Sequence, residues 1–200
     1  MRITAEEKSA TRQRILEAAV DLFRARGFDA TTTRDIAGAA EIATGTLFNY
    51  FATKEAIVGS LAEEALARAR ATFARRNGAS NLEENLFALV ASELRQLRPL
   101  RKFIMPLLET SLSPLSTVRR LEAAESLRIE HLEIVVELAR VDGLTELSPL
   151  ALQVYWTLYT GVLAFWAGDK SPKQEDALAL LDQSMAMFVA WLKCGAAEGR

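Results

Sequence analysis

Residues 31–61 read TTTRDIAGAAEIATGTLFNYFATKEAIVGSL, and this stretch decides the fold. Thr32, with Asp35 three residues on, has the spacing of a reciprocal N-terminal cap and opens a short helix through about Ala40. A second short helix covers residues 44–50, and residues 41–44 form the gap between them. Ile36, Ala37, Ala40, Ile42, Leu47 and Phe51 supply the small core that a helix-turn-helix needs. A short second helix projecting from such a core fits the DNA major groove, with its N-terminal residues nearest the base edges. Its exposed residues would be Thr44, Gly45, Thr46, Phe48, Asn49 and Tyr50.

Outward from this stretch the periodicity stays helical, with no sustained strand-like alternation. Ile15, Ala18, Ala19, Leu22 and Phe23 line one face of a first helix that ends at Arg26-Gly27. Thr53 can cap a longer helix running to about Arg76, and Asn81 can cap the next, running to Arg98. Residues 100–111 are helical but carry Pro106, which predicts a kink or break. Ser113-Pro114, Ser148-Pro149 and Ser171-Pro172 each offer a Ser cap followed by Pro at the first helical position. About nine helices with short connections predict an all-α chain.

The 200 residues are 50% hydrophobic and 25% charged, the balance of a globular protein rather than a disordered one. The net charge of −2 excludes a broadly basic nucleic-acid coat. Residues 1–54 carry net +1 and residues 55–200 net −3, so the helix-turn-helix end is the less negative. Arg2, Lys8, Arg12 and Arg14 read as a basic N-terminal arm for the backbone or minor groove, or as a solvated tail. Cys194 is the single cysteine and His131 the single histidine, and no Glu stands three residues before His131. No metal site, no cofactor and no enzymatic centre is expected from this set. The N-terminus lacks an apolar signal core, so the expected location is the cytoplasm. Residues 147–168 hold no charge and are long enough for a bilayer. The small or polar stripe Gln153, Thr157, Thr160 and Ala164 reads instead as a helix buried on two sides, with no membrane partner.

Three anchored patterns together resemble the TetR-type (TetR/AcrR family) transcriptional regulators. Residues 23–28 resemble the family's Phe-x-x-x-Gly-Phe helix end, residues 31–37 its Thr-Thr-x-x-x-Ile-Ala, and residues 45–55 its Gly-Thr-Leu-Tyr-x-Tyr-Phe-x-x-Lys-Glu. The resemblance covers about residues 8–61. It implies a DNA-binding head, residues 1–55, and an effector-binding, dimerising body, residues 56–200. By position it makes Thr44 and Thr46 candidates for base edges and Thr32, Tyr50 and Lys54 candidates for phosphates. Asn49 and Arg34 suit either role. Tyr50 is also compatible with an ordinary core ring, and Lys54 with a solvated first-turn residue. Three residues depart from the pattern: Glu41 stands where the turn usually has Gly, Ala43 where a Ser caps the second helix, and Phe48 where a Tyr is usual.

The last helix has two apolar stripes, Leu178, Leu181, Met185, Phe188 and Leu192 on one and Leu180, Met187 and Trp191 on its neighbour. One can serve the chain's own core and the other a partner. We assign the first stripe, with Tyr155 and Gly161 of the preceding helix, to a homodimer interface. Phe103, Met105, His131, Trp156, Tyr159 and Phe165 are candidate pocket residues, with core packing as the alternative, and His131 reads first as a satisfied core residue. The expectation is a repressor of a near-palindromic double-stranded DNA operator, released by a small apolar or amphipathic effector. The competing reading is a helical small-molecule-binding protein or bundle enzyme without operator binding.

Overall fold

Side chains at the helix starts set where the helices begin. The structure, a computed structural model, describes residues 4–76, 81–104, 118–144 and 146–198. Among these it is all-α, with eight helices: α1 (Ala5–Arg26), α2 (Thr33–Ala39), α3 (Thr44–Phe48), α4 (Lys54–Ala74), α5 (Leu82–Leu97), α6 (Val118–Val141), α7 (Pro149–Gly168) and α8 (Glu175–Glu198). Residues 101–104 are helical too. Met105, Pro106, Ser113 and Pro114 lie outside the described residues. The chain divides into two compact units, Met1–Ala62 and Glu63–Arg200, so α4 begins in the first and ends in the second.

In the first unit Thr4 and Glu7 form a capping box that starts α1 at Ala5. Lys8, Arg12 and Arg14 therefore stand on α1 rather than in an arm, because the reciprocal bonds commit the chain to helix before the first of them. Ile15, Leu16, Ala19 and Phe23 of α1 are buried, as are Ile36 and Ala37 of α2 and Leu47 of α3. Phe51, Ile57 and Val58 complete this core. Of the core expected for the helix-turn-helix only Ile42 is half-buried instead.

In the second unit α5 packs on α6, α7 and α8, and α7 packs on α8. Asn81 caps α5 and Ser148 caps α7, as their positions predict. The start of α8 differs. Pro172–Gln174 form a short 3-10 turn in which Lys173 and Gln174 both have positive φ, 55° and 59°. Left-handed backbone at two non-glycine residues breaks the helix expected from Ser171-Pro172, at about 1–2 kcal/mol each. Ser171 and Asp169 share the cap: Ser171 Oγ accepts from the Asp176 amide at 3.1 Å, and the Asp169 carboxylate accepts from the Ser171 and Ala177 amides. Burial opposes the charge on Asp169, but those two amides and Arg101 hold its carboxyl below the usual range.

The two stripes of α8 are divided the opposite way from our assignment. Leu181, Met185 and Phe188 are buried in the chain's own core, and so is Tyr155. A partner cannot reach them. Leu178 and Leu192 are half-buried. Leu180, Met187 and Trp191 are the exposed set, with Met187 65% exposed. On α7, Gly161 is exposed, and Phe165 is 47% exposed on the same side, so Phe165 leaves the list of pocket residues. Helix α7 and residues 172–194 are each long and apolar enough to cross a membrane, with a third of each window buried within the protein.

Candidate nucleic-acid interface

The α2–α3 pair is built by local bonds. Thr32 Oγ1 accepts from the Asp35 amide at 3.2 Å, and Asp35 Oδ2 accepts from the Thr32 amide at 2.9 Å. The Thr32 hydroxyl also donates to Asp35 Oδ2 at 2.6 Å. These bonds from Thr32, with Arg26 nearby, hold the Asp35 carboxyl below its usual range. They also commit the Thr32 hydroxyl proton inside the chain, so a phosphate contact from that hydroxyl requires the box to open.

Glu41 has φ 55°, the left-handed turn that the family pattern fills with Gly. A side chain there costs on the order of 1 kcal/mol. Ala43 is the residue before α3, in extended backbone, and gives α3 no side-chain cap. Replacing it with serine places a hydroxyl beside the first-turn amides and is expected to stabilise α3 by about 1 kcal/mol. Amide exchange in residues 44–48 should then slow about fivefold. An unchanged rate would show that the turn gains nothing from a cap.

Helix α3 presents Gly45, Phe48 and Asn49 to the exterior, while Thr44, Thr46 and Tyr50 are half-buried around Leu47. A Cβ built on Gly45 meets nothing within 4 Å, so the chain's own packing does not require a glycine there. Arg34 is exposed on α2. The hydroxyls of Thr44, Thr46 and Tyr50 and the side chains of Asn49 and Arg34 have no partner among the described residues.

Lys54 is placed differently. Its Nζ donates to the Phe28 carbonyl at 2.6 Å and the Thr31 carbonyl at 2.9 Å, and lies 4.1 Å from the Phe28 ring centroid. Two of its three N–H donors are spent inside the unit, so it ties the first turn of α4 to the α1–α2 loop and keeps one donor for a phosphate. Thr31, itself buried, donates from Oγ1 to the Gly27 carbonyl at 2.7 Å, closing the same loop. Partner carbonyls 26 and 23 residues away leave no signal in local spacing.

In the second unit His131, Trp156 and Tyr159 come together, with the His131 ring 4.3 Å from Tyr159 and 6.0 Å from Trp156. Phe103 is buried, and Met105 lies outside the described residues. The cluster has polar members that spacing did not reveal. Glu93 on α5 lies 2.9 Å from His131 Nδ1, and Tyr155 lies 2.9 Å from His131 Nε2. An Nδ1–H donating to Glu93 and a Tyr155 O–H donating to Nε2 satisfy the imidazole on both sides. Burial and the nearby Glu93 charge push both tyrosine phenols, Tyr155 and Tyr159, well above their usual range. The one available sequence signal was Glu93 itself, a charge inside the buried stripe Leu86, Leu89, Val90, Leu94 and Leu97. Among the described residues no group of three or more His, Cys, Asp or Glu could hold a metal ion.

A capped α2, a tight left-handed turn and a short exposed α3 on an all-helical chain define a helix-turn-helix regulator fold. Residues 15–61 match the family model for bacterial regulatory proteins of the tetR family. Residues 15–61 are thus similar in sequence to the TetR family, and the described residues have the fold of TetR regulators. The HTH-type transcriptional repressor KstR2 of Rhodococcus jostii is 46% identical over 54 residues, 27% of this chain and 26% of that protein. The chain thus matches about a quarter of the length of such curated relatives. The Thermus thermophilus FadR, a TetR-family repressor solved with lauroyl-CoA, is 26% identical with a TM-score of 0.66, covering 89% of this chain and 93% of that one. A TetR regulator from Rhodococcus sp. RHA1 superposes with a TM-score of 0.71 at 18% identity, over 93% and 98% of the two chains. These relatives are regulators, not enzymes.

Proposed function

We propose that the chain is a cytoplasmic, ligand-responsive transcriptional repressor that binds a near-palindromic operator as a homodimer. The observation that carries this is α3, a short helix whose unpartnered polar side chains and open Gly45 face outward from a unit of TetR-like sequence. Residues 1–55 form the reading head and residues 56–200 the effector and dimer body. Thr44 and Thr46 meet base edges, Arg34 and Tyr50 meet phosphates, and Asn49 serves either. One short reader helix spans only a few base pairs, so two copies related by a two-fold axis are needed. The exposed apolar face of α7 and α8, with Gly161, Phe165, Leu180, Met187 and Trp191, supplies the partner contact in place of a membrane.

The effector is a small apolar or amphipathic molecule held near Phe103, Met105, His131, Trp156 and Tyr159. The lauroyl-CoA complex of the FadR neighbour supports that chemistry. Control is linkage: a ligand that binds better to one body conformation shifts the heads relative to their half-sites. Helix α4, continuous between the units, is the covalent connection for it.

The test is a genome-wide map of DNA recovered with the protein, followed by titration of the recovered sites at several salt concentrations. Near-palindromic sites, a steep loss of affinity with salt and a dimer by light scattering are expected. A monomer with and without DNA would overturn the proposal. Gly45→Ala sharpens it. Alanine fits the chain and is favoured in a helix by about 1 kcal/mol, so the fold should hold. Operator affinity should nevertheless fall about tenfold, roughly 1.4 kcal/mol, because the added methyl occupies space that DNA would fill. Unchanged affinity would mean that α3 does not approach DNA at Gly45.

A further inference from the structure

A second cavity in the body, away from the His131 cluster, has a one-sided chemistry. It has a volume of about 270 Å³ and lies where α5, α7 and the turn before α8 meet. Its apolar lining includes Phe87, Leu94, Trp166 and Leu178, and its charged lining is Arg95, Arg98 and Lys173. No carboxylate lines it. All three cations are exposed, and none has an ion pair or hydrogen bond among the described residues. Arg101 does not line it: its guanidinium donates to the Trp166 and Asp169 carbonyls and lies 5.6 Å from the Trp166 ring centroid, which holds that ring in place. Asp169, near the turn, has its two oxygens occupied by the Ser171 and Ala177 amides, and Glu83, Glu84 and Asp182 line the adjoining cleft rather than this cavity. In a chain of net charge −2, three unpaired cations around one concavity focus a positive potential there. The left-handed backbone at Lys173 and Gln174 fixes the rim, and strain of this kind gathers at ligand clamps.

We propose that this cavity is a second ligand site, for a small amphipathic anion whose single carboxylate or phosphate is held by Arg95, Arg98 and Lys173. A short chain or single ring lies against Trp166, Leu94 and Leu178. The volume falls just below the range of about 300–1,000 Å³ usual for drug-sized ligands, which excludes a large occupant from this cavity alone. A neighbouring cleft of about 630 Å³ shares Phe87, Ala91 and Arg95, but Glu83, Glu84 and Asp182 line it, so the one-sided positive charge is confined to the smaller cavity. The site differs from the proposed effector pocket in residues and in chemistry: it selects a negative head group, with cations at its mouth.

The test is calorimetric titration of the full chain with octanoate and with octyl phosphate, each below its micelle concentration. Octyltrimethylammonium and octanol serve as controls. One anion per chain should bind, more weakly at high salt, and the tighter of the two identifies carboxylate or phosphate as the head. The triple variant R95A/R98A/K173A removes only exposed, unpaired side chains, so its circular dichroism should match the parent. Its affinity for the anions should fall at least tenfold. Equal affinity in the triple variant, equal binding of the ammonium probe, or no binding of either anion by the parent would each overturn the site. None of these results depends on whether the protein binds an operator, which is measured separately.

Discussion

Replacing His131 with leucine is expected to destabilise the second unit by about 3–5 kcal/mol, the cost of removing one partner from a buried pair. Glu93 and His131 are almost wholly inaccessible, at 0% and 2% exposure. Leucine has a similar volume, so packing loss is small and the effect isolates the polar pair. Without the imidazole, Glu93 Oε1 loses its donor, and Glu93 Oε2 already has no hydrogen-bond partner. Tyr155 loses its hydrogen bond to His131 Nε2 in the same step. The chain's three tryptophans, Trp156, Trp166 and Trp191, all lie in the second unit, so their fluorescence follows this unit's unfolding in denaturant. The double variant Glu93→Leu, His131→Leu should lose much less than the sum of the two single losses, because no charge is left stranded. A single-variant loss below about 1 kcal/mol would show that the cluster is not a coupled unit.

Lys54→Met should cost the first unit about 2–3 kcal/mol, the range for hydrogen bonds made by a charged donor. Methionine keeps the apolar stem over Phe28 but leaves the Phe28 and Thr31 carbonyls without the ammonium. The slope of operator affinity against salt then separates the roles of Lys54. An unchanged slope would mean that tying the loop is its whole role, and a slope lowered by about 1 that its remaining donor meets a phosphate, as its sequence position suggested. Amide exchange in α1 and α2 measures the stability change without relying on tryptophan, which this unit lacks.

The helix-turn-helix was legible because its determinants are local. Thr32 and Asp35 are three residues apart, and the core positions from Ile36 to Phe51 recur within four turns of chain. Side chains whose partners lie far along the chain were not legible. Lys54 looked like a surface cation because its two carbonyls are on another loop. Glu93, His131 and Tyr155 are separated by 38 and 24 residues and meet only when three helices pack. On α8, periodicity showed two apolar faces but carried no information on which one points inward. That is set by the packing of α8 on α7 and on α5, a helix far back in the chain.

Ala43 leaves the reader helix unfinished at its leading end. If α3 reads DNA as proposed, its first turn is completed only when the complex forms, so folding of the helix and binding would be partly one event. Such coupling shows in calorimetry as a more favourable enthalpy set against a larger entropic loss than a pre-capped reader would give. The grip on an operator would then loosen quickly with warming, and the sensitivity of the switch to temperature would be written into a single missing hydroxyl.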